Sequence, residues 1–139
     1  MAYTSGVGTI VAAVVQRLRA TSAVTALVPT ARVLDEVPVN TARPYLAVDV
    51  VSEFDDDVLS RGGVDAVVSV LVASEYRGGD EIGRIASAVR ESLDGQPLTV
   101  DGFVEPADVT YEQALGMYKD DIAGVVVRHR PLWFRVRVV

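Results

Sequence analysis

The sequence predicts an α+β domain of two layers: an antiparallel β-sheet with two main helices packed on one face. Three observations predict it. Val7, Ile10, Val11, Val14, Val15 and Leu18 recur at helical spacing, as do Ile82, Ile85, Ala86, Val89 and Leu93 further along. Between these stripes lie two runs of strand formers, Tyr45 to Phe54 and Val64 to Tyr76, which a polar, glycine-containing connection joins into a long β-hairpin over residues 45–76. The chain then closes on alternating β sequence, from Ile122 to Val139.

The first stripe leaves Gln16, Arg17 and Arg19 off its apolar face, as an amphipathic helix against a core requires. Ser22 to Val28 allows a further short turn that Pro29 ends. Arg32 to Val37 predicts a short strand, closed by Pro38 and a turn-rich stretch from Asn40 to Pro44. In the next long run, Val64, Ala66, Val68, Val70 and Val72 share one face, while Asp65, Val67, Ser69, Leu71 and Ala73 share the other. One fully apolar face and one mixed face predict a central strand, covered by helices on one side and partly covered on the second. Gly78-Gly79-Asp80 supplies a turn and an N-cap, Asp80 and Glu81 suit the positive end of the helix dipole, and Gly95 with Pro97 stops the second helix. Leu98 to Val100 and Phe103 to Gln113 flank the Asp101-Gly102 turn as β segments, with Pro106 predicting an edge or a bulge. Lys119-Asp120-Asp121 is expected to form a polar turn. In the closing run Leu132, Phe134, Val136 and Val138 alternate with Trp133, Arg135 and Arg137, and Pro131 is expected to interrupt the ladder.

With 139 residues, half of them apolar, there is material for one core and not for two, so residues 1–139 are expected to form a single domain. Thirteen basic residues against nineteen acidic ones give a net charge of -6, the wrong balance for a monomer that grips nucleic acid phosphates. The absence of cysteine excludes disulfides, thiolate metal sites and thiol nucleophiles. The apolar run at the start is broken by Gln16 and Arg17 and lacks a basic leader, so neither a signal peptide nor a membrane span is expected and the cytoplasm is the default compartment.

Asp55, Asp56 and Asp57 are the most conspicuous candidates for chemistry. Consecutive side chains alternate in an extended chain, and the following Val58-Leu59-Ser60 does not continue a calcium-loop pattern, so a solvated hairpin tip or a subunit contact, with Arg61 on the same loop, is favoured over a metal site. His129 is the single histidine, and no serine sits in a Gly-x-Ser-x-Gly elbow, which leaves nucleophilic catalysis without its parts. No phosphate-binding glycine loop is present; Gly62-Gly63 and Gly78-Gly79 are turn glycines. Arg128, Arg130, Arg135 and Arg137 form the one basic cluster. On a terminal strand it is expected either to guard an edge or to meet an acidic neighbour, and contact with protein is favoured over contact with DNA. Trp133 among them is a packing or interface anchor. No catalytic, cofactor-binding or metal residue is assigned, and no cofactor is expected.

Several stretches in order, Ala31 to Pro38, Arg43 to Val48, Val70 to Ser74 with the helix Glu81 to Leu93, Gly95 to Gly102, and Phe134 to Val138, resemble the tail terminator or tail completion proteins of long-tailed bacteriophages. The resemblance covers roughly residues 7–139; the triple aspartate and the stretch from Glu105 to Asp121 depart from it. It implies a non-enzymatic structural protein of the virion, assembled in the host cytoplasm. Its partners would be itself, in a ring usually of six, the tail tube protein and the head-neck connector, with DNA passing through the lumen without specific binding and no membrane involved. The rivals are a head-closure or adaptor protein of the neck and, from another class, a small metal-dependent hydrolase using Asp55 to Asp57.

Overall fold

The computed structural model describes residues 7–54 and 63–138. The first apolar stripe forms helix α1 (Val7–Ala20), in which Ile10, Val14 and Leu18 are buried. The one-turn helix α2 (Ser22–Thr25) seals Val24 into the same core. After Pro29 and a 3-10 turn (Thr30–Arg32), the strand predicted over 32–37 shortens to β1 (Val33–Leu34). It runs parallel to β2 (Tyr45–Glu53), with Val33 opposite Leu46, so the sheet is mixed and not wholly antiparallel. Parallel neighbours usually need a crossover of a dozen residues or more. Here residues 35–44 suffice because β1 is only two residues long.

β2 and β3 (Val64–Ser74) pair antiparallel as the predicted hairpin, Tyr45 opposite Ala73 and Val48 opposite Val70, with a bulge at Val51. Helix α3 (Asp80–Leu93) follows. Its N-cap is Gly79, not Asp80; Asp80 lies inside the first turn, where it pairs with Arg84 at 3.0 Å and still meets the dipole with Glu81. Gly95, at φ +69°, makes the exit. Of the β segments expected around Asp101-Gly102, the first shrinks to a bridge between Leu98 and Ala107, and the second starts later, as β4 (Asp108–Ala114).

The Lys119-Asp120-Asp121 turn is instead part of a strand, β5 (Tyr118–Ile122), and the reversal comes at Ala123-Gly124 with φ +53° and +84°. Two residues with positive φ give the tight hairpin that leads into β6 (Val125–Val138), with Ile122 opposite Val125. The Asp121 carboxylate accepts the Gly124 N–H at 2.9 Å. All five residues of β5 are exposed, so no alternation of burial marks it as a strand.

The strand order is β1-β2-β3-β6-β4, with β5 also paired to β6. The terminal strand is therefore interior and has no edge to guard: it lies against β3 from Val64 opposite Val138 to Ser74 opposite Arg128. Pro131 does not interrupt this ladder, since Leu71 stays opposite it. Its carbonyl accepts the Leu115 N–H at 2.9 Å on the other side, and the ring nitrogen of an extended residue points the same way as its carbonyl. The missing donor thus falls where β5 ends and β4 begins.

Val64, Ala66, Val68, Val70 and Val72 of β3, with Leu46, Val48, Leu132, Phe134, Val136 and Val138 of its neighbours, pack under α1 and α3 in one core. No helix among the described residues covers the opposite face. Two sheet edges are closed by carboxylates: Asp49 accepts the Val50 N–H at 2.8 Å on β2, and Asp94 accepts the Tyr111 N–H at 2.9 Å on β4.

Candidate assembly surface

Asp65 alternates out of the core onto the helix-free face and is nonetheless 0% exposed. Arg135 donates through Nε and Nη2 to its two oxygens at 2.9 and 2.8 Å, and Arg137 Nε lies 3.9 Å away. Register brings them together, because Arg137 sits opposite Asp65 and Arg135 is the next odd residue along β6. The Arg135 guanidinium also lies over the Phe54 ring, 4.3 Å from its centroid. Trp133, opposite Ser69, is partly buried on the same face.

The basic cluster is two clusters. Arg128 and Arg130 are even-numbered and lie on the helix side of β6, where Arg128 donates to the Tyr76 carbonyl at 3.2 Å and Arg130 lines a cavity beside α3. Arg135 and Arg137 lie on the reverse side with Trp133. Asp55, Asp56, Asp57 and Arg61 lie outside the described residues. Sequence reasoning passed over Asp65, although its parity matches that of Arg135 and Arg137. It also passed over Arg90, whose guanidinium stacks on Tyr111 at 4.0 Å.

His129 is 5% exposed at the far end of the helix-free face. Its ring stacks on Tyr118, 4.9 Å between centroids and 16° from parallel, and the Asp120 carboxylate approaches Nε2 to 3.3 Å. Neither ring nitrogen has a hydrogen-bond partner among the described residues. The buried hydroxyls lie elsewhere: Ser74 donates to Glu81 at 2.7 Å, and Ser92 shares a hydrogen bond with Thr21 at 2.7 Å. Among the described residues no group of three histidines and carboxylates is placed to hold a metal ion, and no helix is long and apolar enough to cross a membrane.

Burial pushes the His129 pKa below its ordinary 6.5, the Asp120 carboxylate pulls it back up, and Arg43, itself bound to Glu75 at 2.6 Å, adds to the lowering. Tyr45, opposite Ala73 on the same face, is kept neutral here, since burial raises its pKa from the ordinary 10. The folded protein therefore takes up this proton only below the pH at which the unfolded chain does. The stability it confers is complete above about pH 6.5 and is lost as pH falls through the folded value. His129→Phe keeps the stack and has no proton to take up. Urea unfolding is expected to show the stability difference between variant and wild type constant above pH 7 and shifting in the variant's favour below 6.5, by at most about 1.4 kcal/mol per pH unit.

Residues 12–138 match the family model of the tail completion protein gp17. The chain belongs to that family. A solved structure, described as the virion of a native gene transfer agent particle, contains a chain 26% identical to this tail completion protein, with a TM-score of 0.70 and 98% of each chain covered. None of the curated proteins matches it. The tail completion protein is thus a structural component of a phage-like tail.

Proposed function

We propose that this tail completion protein forms a ring of six copies that caps the finished tail tube, ends its polymerisation and joins it to the head-neck connector. The observation that carries the proposal is the family match over residues 12–138. The fold suits it. A closed ring with head-to-tail contacts needs two unlike surfaces on each subunit, and the two ends of this sheet are unlike. One carries β1 and the exposed acids Asp35 and Glu36; the other carries β4, β5 and Arg130.

Charge fits a conduit as well. Six copies at -6 each carry about -36, and a like-charged lumen repels DNA over a Debye length of about 8 Å at physiological salt, so DNA slides through without being held.

Light scattering of the pure protein, followed by negative-stain imaging with purified tail tubes, tests the proposal. A six-fold mass, alone or on tubes, and rings at tube ends are the expected result. A lone subunit under both conditions overturns it, as does turnover of a substrate. Binding to purified connectors but not to tubes would reassign the protein to head closure.

A further inference from the structure

We infer that the cavity between α3 and the β4–β6 end of the sheet is a carboxylate socket, and that in the ring it holds an acidic side chain from the Asp35-Glu36 segment of a second copy. The inference rests on the ring reading above and assigns the contact that closes it.

The cavity, of about 210 Å³, is lined by Ser87 and Arg90 of α3, Tyr111 of β4, and Arg130 and Leu132 of β6, among others. Two guanidinium groups thus share one concavity, and no carboxylate of a described residue lines it. Neither arginine has an ion pair with a described residue. Arg90 lies flat over Tyr111, 4.0 Å from the ring centroid, and a guanidinium stacked by its face keeps its N–H donors in plane for an acceptor arriving edge-on. Arg130 Nε is sealed from solvent and has no acceptor among the described residues, so an arriving carboxylate would meet this guanidinium through its terminal nitrogens. Glu91 of α3 and Asp94 just past its end do not line this cavity, although they border a neighbouring hollow with Arg90, and Asp94 already accepts the Tyr111 N–H. Paired guanidinium groups with an adjacent hydroxyl are the chemistry of carboxylate capture.

The occupant follows from the layout. The strand order places β1 at one end of the sheet and β4 at the other, so a ring that joins its subunits through these two ends would set the segment after β1 against the socket. Asp35 and Glu36 leave β1 directly, both are exposed, and neither has an ion pair or side-chain hydrogen bond with a described residue. Three residues on, Val39 is 90% exposed, so the segment after β1 stands clear of its own subunit. Asp35 and Glu36 belong to the same chain as the socket, so every copy in a ring brings both halves of the contact.

Charge reversal tests this on the full chain, with ring assembly read by light scattering over a concentration series. Arg130→Glu and Glu36→Arg are each expected to raise the concentration for half-assembly about tenfold or more, and the double variant to recover most of the loss. Arg90→Gln and Asp35→Asn, both at exposed positions, serve where Arg130→Glu melts below the wild type by circular dichroism, and each is expected to weaken assembly in the same direction. Wild-type assembly in Arg130→Glu and Arg90→Gln overturns the socket while the ring reading stands. Loss in the arginine variants without loss in Glu36→Arg or Asp35→Asn, or without recovery in the double variant, overturns the acidic segment as occupant. Weakened binding of a short DNA duplex with unchanged assembly overturns the proposal in favour of a nucleic acid site. A wild type that stays a lone subunit even on tail tubes removes the ring reading itself.

Discussion

Replacing Phe134 with alanine is expected to lower the unfolding free energy by about 3–5 kcal/mol. The side chain is 1% exposed, stands opposite Val68 on β3 and Tyr111 on β4, and meets the Tyr111 ring edge-on at 5.6 Å and 68°. Ladders hold β6 on both sides at this point, so the backbone cannot collapse into the space that alanine leaves, and the cost lies toward the upper part of that range. Domains of this kind have about 5–15 kcal/mol in hand, so at least about a fifth of the stability goes with one ring. Urea denaturation followed by circular dichroism is expected to show a lower midpoint with an unchanged slope, and thermal unfolding a fall of about 10 °C or more. Phe134→Leu, which keeps most of the volume, is expected to lose far less. A loss below about 1 kcal/mol for the alanine variant would mean that the core does not close around β6 as described.

The parts of the fold legible in the sequence are those whose periodicity records burial. α1 and α3 each turn one apolar stripe to the sheet, and β3 shows its covered face as five alternating apolar residues. β5 left no such record because both of its faces meet solvent, and three charges in a row look like a turn whether or not they form a ladder. β1 is too short for any period to register. Only the pairing of its two residues with β2 makes it a strand, and that pairing is a property of the whole domain.

The arginines are more instructive. Arg130 and Arg135 are separated by an odd number of steps, which in one continuous strand puts them on opposite faces. That deduction needs β6 to pass through Pro131 unbroken, and the ordinary rule for proline in a sheet says that it does not. The rule fails here because the missing N–H points to the junction between β5 and β4 and not to β3. The burial of Asp65 was equally out of reach, since its partner lies seventy positions away and is chosen by register. The socket needs one more level still, the packing of α3 against β4 and β6.

The second large effect is expected from Arg135→Ala, at about 2–4 kcal/mol of stability. Removing one partner of a buried pair costs about 3–5 kcal/mol when a charge is left without compensation, and the figure is reduced here because the Arg135 side chain is 42% exposed and partly screened by water. Asp65, at 0% exposure, has no such relief, and Arg137 at 3.9 Å is a poorer partner than the bidentate Arg135. The pair is therefore asymmetric. Asp65→Asn leaves an arginine that can turn to solvent and is expected to cost about half as much. A double-mutant cycle between the two positions is expected to give a coupling above about 1 kcal/mol, and additive losses or equal single losses would contradict the asymmetry. The double replacement by leucine carries the deciding information. If it folds with undiminished stability, the pair is retained for the register of β3 on β6 and not for net strength. A slip of that ladder by one residue would carry Asp65 to the opposite face from both arginines, and a slip by two would either part it from Arg135 or exchange the places of the two arginines.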